Sequence, residues 1–352
     1  MFFSGGKTFT GLDVGASSVK LVRGSIKGGK MVIDDLSIEP LPFVAHNEQG
    51  IADGVIVSSA IARVLEGLSG SRKKSSVAIH GGGVLTKRIT IPKVAQKDIP
   101  DQVRWEAQQV FPVDVDSILI DHVLLGEGVE VPGAPAGTKG WDLLLVGVRI
   151  DDAEKLRSCV ENAGSEIKVF DLDTFVTSHW MSSVLDLPKE EAVAFVDVGA
   201  LATRVSVSRG GKVAFFREFP IGGRFFTEAI ATALGLSFDD AEALKIQDAA
   251  AIPEEAVSAL QGAISQWKAD LQQTEDIFVT QDSHLITRWY FFGGGHLTVG
   301  LMDSLQDERF GSKVFLLPFE DLFVAKGKVD PVVLRNWSSR LISASGLAVR
   351  KT

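Results

Sequence analysis

The sequence predicts an α/β protein of two similar halves facing one another across a cleft, with a βαββαβ insertion between them. Three observations lead there. LDVGA at 12–16 returns as VDVGA at 196–200, each opening an alternating strand. Each copy then runs into a basic-Gly-Gly-Lys turn, KGGK at 27–30 and RGGK at 209–212. From aspartate to turn is 14 residues in the first copy and 12 in the second, a difference that keeps side-chain alternation in phase. Between the copies, segments read as strand, helix, strand, strand, helix, strand.

Taken in order, each half begins strand, acidic turn, strand. In the insertion, VLTKRITI (84–91) reads as a strand and KDIPDQVRWEAQQV (97–110) as a helix. Asp98 is placed to cap that helix, Pro100 fits its first turn, and Pro112 lies just beyond its end. Val103, Ala107 and Val110 share one face. SILIDHVLLG (117–126) and WDLLLVGVRI (141–150) form a hairpin around VPGAPAGTKG. DDAEKLRSCVENAG (151–164) reads as a helix stopped by Gly164, followed by the strand EIKVF. This order suits a ferredoxin-like module. After the second DVGA come helices at 223–235 and 237–247, the latter started by Ser237 and Asp240. Over 253–282, Val257, Leu260, Ile264, Trp267 and Leu271 recur at helical spacing and mark one buried face. TRWYFFGGGH (287–296) is a strand running into three glycines, and LISASGLAVR (341–350) is a small-residue helix.

Composition narrows the function classes. The 352 residues suit two or more compact units, and 45% hydrophobic content supports a sizeable core. The 35 glycines exceed the ~25 expected at usual frequency, and they cluster at 5–6, 28–29, 81–83, 210–211, 222–223 and 293–295. Such clusters mark positive φ or close approach of the backbone to something. A net charge of −9 with no long basic run disfavours nucleic acid, and SRKK at 71–74 reads as a solvated loop. The one cysteine, Cys159, forms no intramolecular disulfide, fits a reducing compartment and reads as buried filler on a helix. No apolar stretch nears the ~18 residues of a spanning helix. The apolar part of MFFSGGK is too short for a signal peptide. A cytoplasmic protein is expected, without direct membrane insertion.

The paired loops carry the chemistry. A phosphate tail needs backbone N–H donors, a divalent cation and little side-chain bulk. Gly15 and Gly199 let two such loops curl, while the hydroxyls of Ser17, Ser18 and Thr203 add donors. Asp13 and Asp197 would hold Mg²⁺ through water, because Mg²⁺ keeps its hydration shell. Lys20, seven residues after Asp13, can reach back toward the β/γ phosphates. The six histidines show no metal-ligand spacing, and there is neither a GxSxG elbow nor a P-loop. The GGG at 81–83 is read first as a structural turn.

This arrangement resembles the actin-like (ribonuclease H-like) nucleotide-binding superfamily. Its first phosphate motif looks like LDVGASSVK, its second like VDVGALAT, its adenosine motif like FFGGGH, and its connecting helices like FDLDTFVTSHW and SASGLAV. Within it, GLDVGASSVKLV, VRWEAQQVFPVDVDSILIDHVLL and FPIGGRFFTEAIATALGLSFDDAEALK are similar to the PilM family of type IV pilus assembly. The resemblance implies ATP and Mg²⁺ as ligands, with Gly222 and Gly223 near the phosphates and ribose. It further implies Glu242 and Lys245 beside ribose and purine, and Gly293, Gly294 and Gly295 against the adenine. The residues alone allow Glu242–Lys245 to be a surface i,i+3 pair. Asp173 falls where hydrolytic relatives position water, although a helix N-cap reads equally well. Slow or absent ATP hydrolysis is expected.

The same resemblance implies domain boundaries. The first half takes 1–86, 170–190 and 336–352; the inserted module 87–169; the second half 191–225 and 286–335; a helical subdomain 226–285. It implies a nucleotide-responsive scaffold, peripheral at the inner membrane. Its partner would be the cytoplasmic N-terminal tail of PilN, docked in a groove drawing on 77–125. Other pilus inner-membrane and motor components would follow, with self-association left open. The alternatives are an FtsA-like cell-division protein, disfavoured because AVRKT follows the connecting helix directly, and a small-molecule kinase of the same fold. The kinase lacks an evident carboxylate base. A metal–sulfur activator needs more than one cysteine, and an L-type secretion component needs a transmembrane helix.

Overall fold

The computed structural model describes residues 10–68, 74–80, 83–185, 187–188, 190–247 and 252–350. MFFSGGK with its glycine pair, residues 71–73 of SRKK, and Gly81 and Gly82 lie outside the described residues. The first half opens with an antiparallel meander, β1 (Thr10–Val14), β2 (Ser18–Lys27) and β3 (Lys30–Pro40). A short pair, β4 (His46–Asn47) and β5 (Gly50–Ile51), leads to α1 (Gly54–Glu66), whose N-terminus is capped by the Asp53 carboxylate. Strand β6 (Lys74–Ile79) then returns parallel to β1. The second half repeats this plan with β11 (Ala192–Val198), β12 (Thr203–Arg209) and β13 (Lys212–Phe219). Helices α5 (Gly223–Leu234), α6 (Phe238–Lys245) and α7 (Glu254–Asp282) follow, and β14 (Ile286–Phe292) returns parallel to β11.

The echo in sequence is therefore an echo in topology. Both basic-Gly-Gly-Lys segments are two-residue hairpin turns, with Gly28, Gly29, Gly210 and Gly211 at φ of 57°, 75°, 60° and 75°. That left-handed backbone favours glycine and matches strand twist. The match continues past the fourth strand. Trp289 of β14 donates to Lys313 O at 2.8 Å and accepts from Phe315 N–H at 2.9 Å. That segment thus occupies the place beside β14 that a fifth strand occupies beside β6.

The insertion differs from expectation. Strands β7 (Val84–Pro92), β8 (Ile118–Glu130) and β9 (Lys139–Arg149) form an antiparallel sheet in the order β7-β9-β8, covered by α2 (Ile99–Val110). Helix α3 (Ile150–Asn162) and β10 (Glu166–Leu172) follow in the predicted order, yet they leave the module. Strand β10 pairs in parallel with β6, and the Ser75 and Ser165 hydroxyls meet at 2.7 Å where the two are joined. Leu156, Cys159 and Val160 of α3 bury against Val57, Ile61 and Val64 of α1. Of the expected βαββαβ order, strand, helix, strand and strand share one sheet and its covering layer, while α3 and β10 pack on the first half. Asp98 is not a side-chain cap; a 3-10 turn over Gln96–Asp98 precedes the helix. Further on, β15 (Phe323–Ala325) lies in a stretch expected to belong to the second half. It pairs in parallel with β3 and closes the first sheet in the order β10-β6-β1-β2-β3-β15. Phe323 stacks on Trp180 there, which rewards that pairing with buried aromatic surface.

Two helices form the layer between the sheets. α4 (Asp173–Val184) packs on β12 and β13, and α9 (Ile342–Val349), which follows α8 (Pro331–Trp337), packs on β1 and β2. Their core joins Met31 and Ile33 of one sheet to Phe195, Tyr290 and Phe292 of the other through Trp180, Met181, Ile342 and Ala344. Gly346 permits the helix crossing, since a Cβ there would stand 2.6 Å from Val176 Cγ1. On the far face of the second sheet, Leu260, Ile264, Trp267 and Leu271 of α7 are buried as their spacing predicts, while Val257 is only partly buried. Among the described residues, no helix is long and apolar enough to cross a membrane.

Candidate functional site

The two acidic turns face each other across a cleft of about 480 Å³. Their backbones are closed by the same bond: Gly15 N–H donates to Ser18 O at 3.1 Å, and Gly199 N–H to Ala202 O at 3.0 Å. Both glycine amides are used inside the turn, so donors for a ligand must come from the residues that follow. Ala16, Ser17 and Ser18 line the cleft from the first turn, and Ala200 and Leu201 from the second. Lys20 stands directly across the ladder from Asp13, and its Nζ reaches Asp13 Oδ2 at 2.8 Å.

The second copy holds the same device. Arg204 is seven residues after Asp197, stands opposite it in register, and its Nη1 donates to Asp197 Oδ2 at 3.1 Å. The sequence reading missed Arg204, although its spacing from the aspartate repeats that of Lys20. It also missed His80, which follows β6. His80 Nε2 lies 2.9 Å from Asp13 Oδ1, and Nδ1 lies 3.3 Å from Asp173 Oδ2.

This charge network is buried, and burial sets the problem that the charges solve. Burial opposes the positive charge of His80, but the Asp173 and Asp13 carboxylates outweigh it and push its pKa up to about 9. Burial likewise opposes the charge of Asp13, yet Lys20 and then His80 hold it well below the usual carboxylate range. Asp173 is lowered in the same way, with His80 overcoming its desolvation. Asp197 goes the other way. Burial raises it to about 6 despite Arg204, which is shared with Glu218 at 2.8 Å.

The opposite end of the cleft is glycine-lined. Gly293 has φ of 88°, and a Cβ there would overlap Asp197 Oδ1 and Val198 O. Gly295 packs on Val198 and Gly199, and Gly294 lies against Arg340. Gly223 N–H donates to Gly199 O at 2.8 Å, which brings the start of α5 onto the second turn. Lys245 is buried, with Nζ donating to Gly223 O at 3.0 Å, Thr227 Oγ1 at 2.9 Å and Glu242 Oε2 at 2.6 Å. Burial lowers its pKa, with Glu242 opposing. The i,i+3 pair lines the cleft, with Lys245 buried and the Glu242 side chain 44% exposed. Arg340 lies over the Trp337 ring at 4.6 Å and has no hydrogen-bond partner at Nε.

Thus Asp13, Gly15, Ser17, Ser18, Lys20, Asp197, Gly199, Gly223, Glu242, Lys245, Gly293, Gly294 and Gly295 come together around one cleft. Three expected residues do not line it. Thr203 is fully buried; its hydroxyl donates to Ile221 O at 2.6 Å and accepts from Trp267 Nε1 at 2.9 Å. Gly222 lies behind the second turn, where a Cβ would meet Gly199 O at 2.6 Å. Asp173 is 2% exposed and sits behind His80; it is the first residue of α4 and makes no capping bond. Among the described residues, no group of three or more acidic, histidine or cysteine side chains could hold a metal ion directly.

Comparison with known proteins places this geometry. A match of 23% identity over 270 residues to the cell division protein FtsA of Pseudomonas aeruginosa takes in 70% of this chain and 62% of that protein. The chain therefore spans less than two thirds of the length of that relative. In fold, a PilM-PilN type IV pilus biogenesis complex superposes with a TM-score of 0.83 at 21% identity, covering 98% of both chains. MreB 5 of Spiroplasma citri bound to AMPPNP superposes with a TM-score of 0.53 at 11% identity, covering 97% of this chain and 95% of that one. The actin-like fold is thereby shown. The family model for the type IV pilus assembly protein PilM matches residues 11–352, and the chain belongs to that family.

Proposed function

We propose that this protein is an ATP-binding scaffold of the type IV pilus inner-membrane platform. It would dock the cytoplasmic N-terminal tail of PilN and couple that docking to nucleotide state. The observation that carries the nucleotide reading is the pair of matched Asp-x-Gly turns, each with a cation seven residues on, opposed across a glycine-lined cleft. The fit is physical. Gly293 and Gly295 let the glycine run lie directly on the second turn, because a Cβ at either would collide with Val198 O, and the cleft so formed is lined by Ser17, Ser18, Lys20 and Arg340. Phosphates would take donors from Ser17, Ser18 and the turn backbones, with Lys20 beside them. With no three-ligand cluster among the described residues, Mg²⁺ would be held by phosphate oxygens and water, with Asp13 and Asp197 accepting from its hydration shell. Asp173 is buried against His80 and does not line the cleft, which favours binding over rapid hydrolysis.

The tail would dock in a groove of about 550 Å³ lined by Leu119 and Val123 of β8, Phe170 of β10, Phe175 of α4 and Val213 of β13. Leu119 and Phe170 are exposed there, and β8 and β10 are edge strands of their sheets. Apolar side chains with strand addition suit such a place. The protein would work at the cytoplasmic face of the inner membrane, held there by its partner.

The test is a pull-down with synthetic N-terminal tails of inner-membrane pilus proteins, with and without Mg-ATP. Retention of a PilN tail that responds to Mg-ATP is the expected result. Failure of every pilus tail, together with phosphorylation of a sugar panel at ordinary kinase rates, sinks the scaffold reading.

A further inference from the structure

The mouth of the cleft is bridged by a contact that the phosphate turns themselves carry. Phe43, in the 3-10 turn Phe43–Ala45 after β3, belongs to the first half and is 49% exposed. The Arg224 guanidinium, from the first turn of α5 in the second half, lies flat on its ring with Cζ 3.3 Å from the centroid. Arg224 Nη2 also donates to Phe43 O at 3.1 Å, and Phe238 of α6 packs edge-on against Phe43 at 5.5 Å. All three residues line the cleft.

Each side of this bridge is tied by backbone to one phosphate turn. On the first side, Leu41 N–H donates to Ser17 O at 2.9 Å, two residues before Phe43. On the second, Arg224 N–H donates to Ala200 O at 2.8 Å. The spacing of the two turns therefore fixes the spacing of ring and guanidinium. A guanidinium is attracted to a ring within about 6 Å of its centroid, so a separation of the halves by a few ångströms removes the attraction. Burial lowers the pKa of Arg224, consistent with a guanidinium partly withdrawn from water by the ring.

We propose that Phe43, Arg224 and Phe238 form a gate that closes over the phosphate end of the cleft and limits nucleotide exchange. This rests on the nucleotide reading of the same cleft. A ligand held by both turns sets their separation and so completes the gate; departure of the ligand requires ring and guanidinium to part. The gate is aromatic and cationic, so it loses less in high salt than an ion pair would.

The test uses the full chain loaded with Mg²⁺ and mant-ATP and chased with unlabelled ATP. Phe43→Ala and Arg224→Gln should each release mant-ATP about tenfold faster, equivalent to ~1.4 kcal/mol. The double variant should be little faster than the quicker single, because both remove one contact. Release at the wild-type rate in both single variants overturns the gate. A wild-type chain that binds no mant-ATP overturns the nucleotide reading instead. The gate is then judged by distances between nitroxides at Val55→Cys and Glu228→Cys, one on each half. A distribution that Phe43→Ala broadens supports it, and an unchanged distribution overturns it.

Discussion

Replacing His80 by glutamine should remove a pH dependence of stability that the buried network imposes. His80 faces Asp13 and Asp173, with Lys20 on the far side of Asp13 and Arg204 beside Asp197. Its pKa rises from an ordinary 6.5 to about 9 in the folded chain. Because the folded state holds the proton more tightly, the stabilisation is complete below pH 6.5 and is lost as pH rises through 9. At about 1.4 kcal/mol per pH unit, that interval is worth ~3 kcal/mol. His46 falls to about 4 and Asp197 rises to about 6, so both act on the acid side, while Cys159, raised by burial, and Lys245, lowered by burial, are common to both proteins and cancel in the difference. Urea unfolding in EDTA at pH 6.5, 8 and 9.5 is the assay. The wild type should lose ~3 kcal/mol more than His80→Gln across that range. Parallel profiles for the two proteins would refute the ion-pair account of His80.

Three other variants probe the remaining contacts. Asp13→Ala and Asp197→Ala should leave a folded chain, by circular dichroism, that binds Mg-ATP at least tenfold more weakly; unchanged affinity in both removes the phosphate-turn assignment. Thr203→Val deletes a hydroxyl that serves Ile221 O and Trp267 Nε1, and should cost ~2 kcal/mol of stability with mant-ATP affinity kept within about twofold. A selective loss of affinity would return that hydroxyl to the phosphates. Arg88→Met strands Asp142, 6% exposed, and removes the ion pair from Arg88 to Asp282 at the end of α7. Amide exchange in β7 and β9 should quicken in that variant, and exchange at the wild-type rate would show that this pair does not hold the module.

What could be read from sequence, and what could not, follows from where each signal lies. The two turns were legible because a left-handed hairpin favours glycine, and Gly28–Gly29 and Gly210–Gly211 follow Asp13 and Asp197 at distances that differ by two residues and so keep the pleat in phase. The buried face of α7 was legible because helical period and burial coincide over many residues. His80 was not, because its partners Asp13 and Asp173 lie on segments that only the sheet brings together. Thr203 misled because it occupies the place in the second copy that follows the turn, yet its side chain points to Trp267. Strand β10 misled for a different reason. Its sequence fixes its length and pleat, but the choice between two neighbouring sheet edges is made by the packing of α3 on α1.

The duplication also explains an asymmetry that neither half carries alone. Each half places a carboxylate opposite a cation in the same register, Asp13 with Lys20 and Asp197 with Arg204. If those pairs were the whole of the electrostatics, the two aspartates would titrate alike. They do not, because Asp13 gains a second cation in His80 while Arg204 divides itself between Asp197 and Glu218. One wall of the cleft is therefore held firmly ionised and the other is raised to about 6. The cation that makes the difference comes from the residue after β6, on the stretch that leads into the inserted module. A displacement of that module would act first on His80, and through it on Asp13 and on Asp173 at the start of α4. On the function proposed above, His80 would link the partner groove to the nucleotide cleft, and among the described residues β14 of the second half is followed by glycine where β6 is followed by His80.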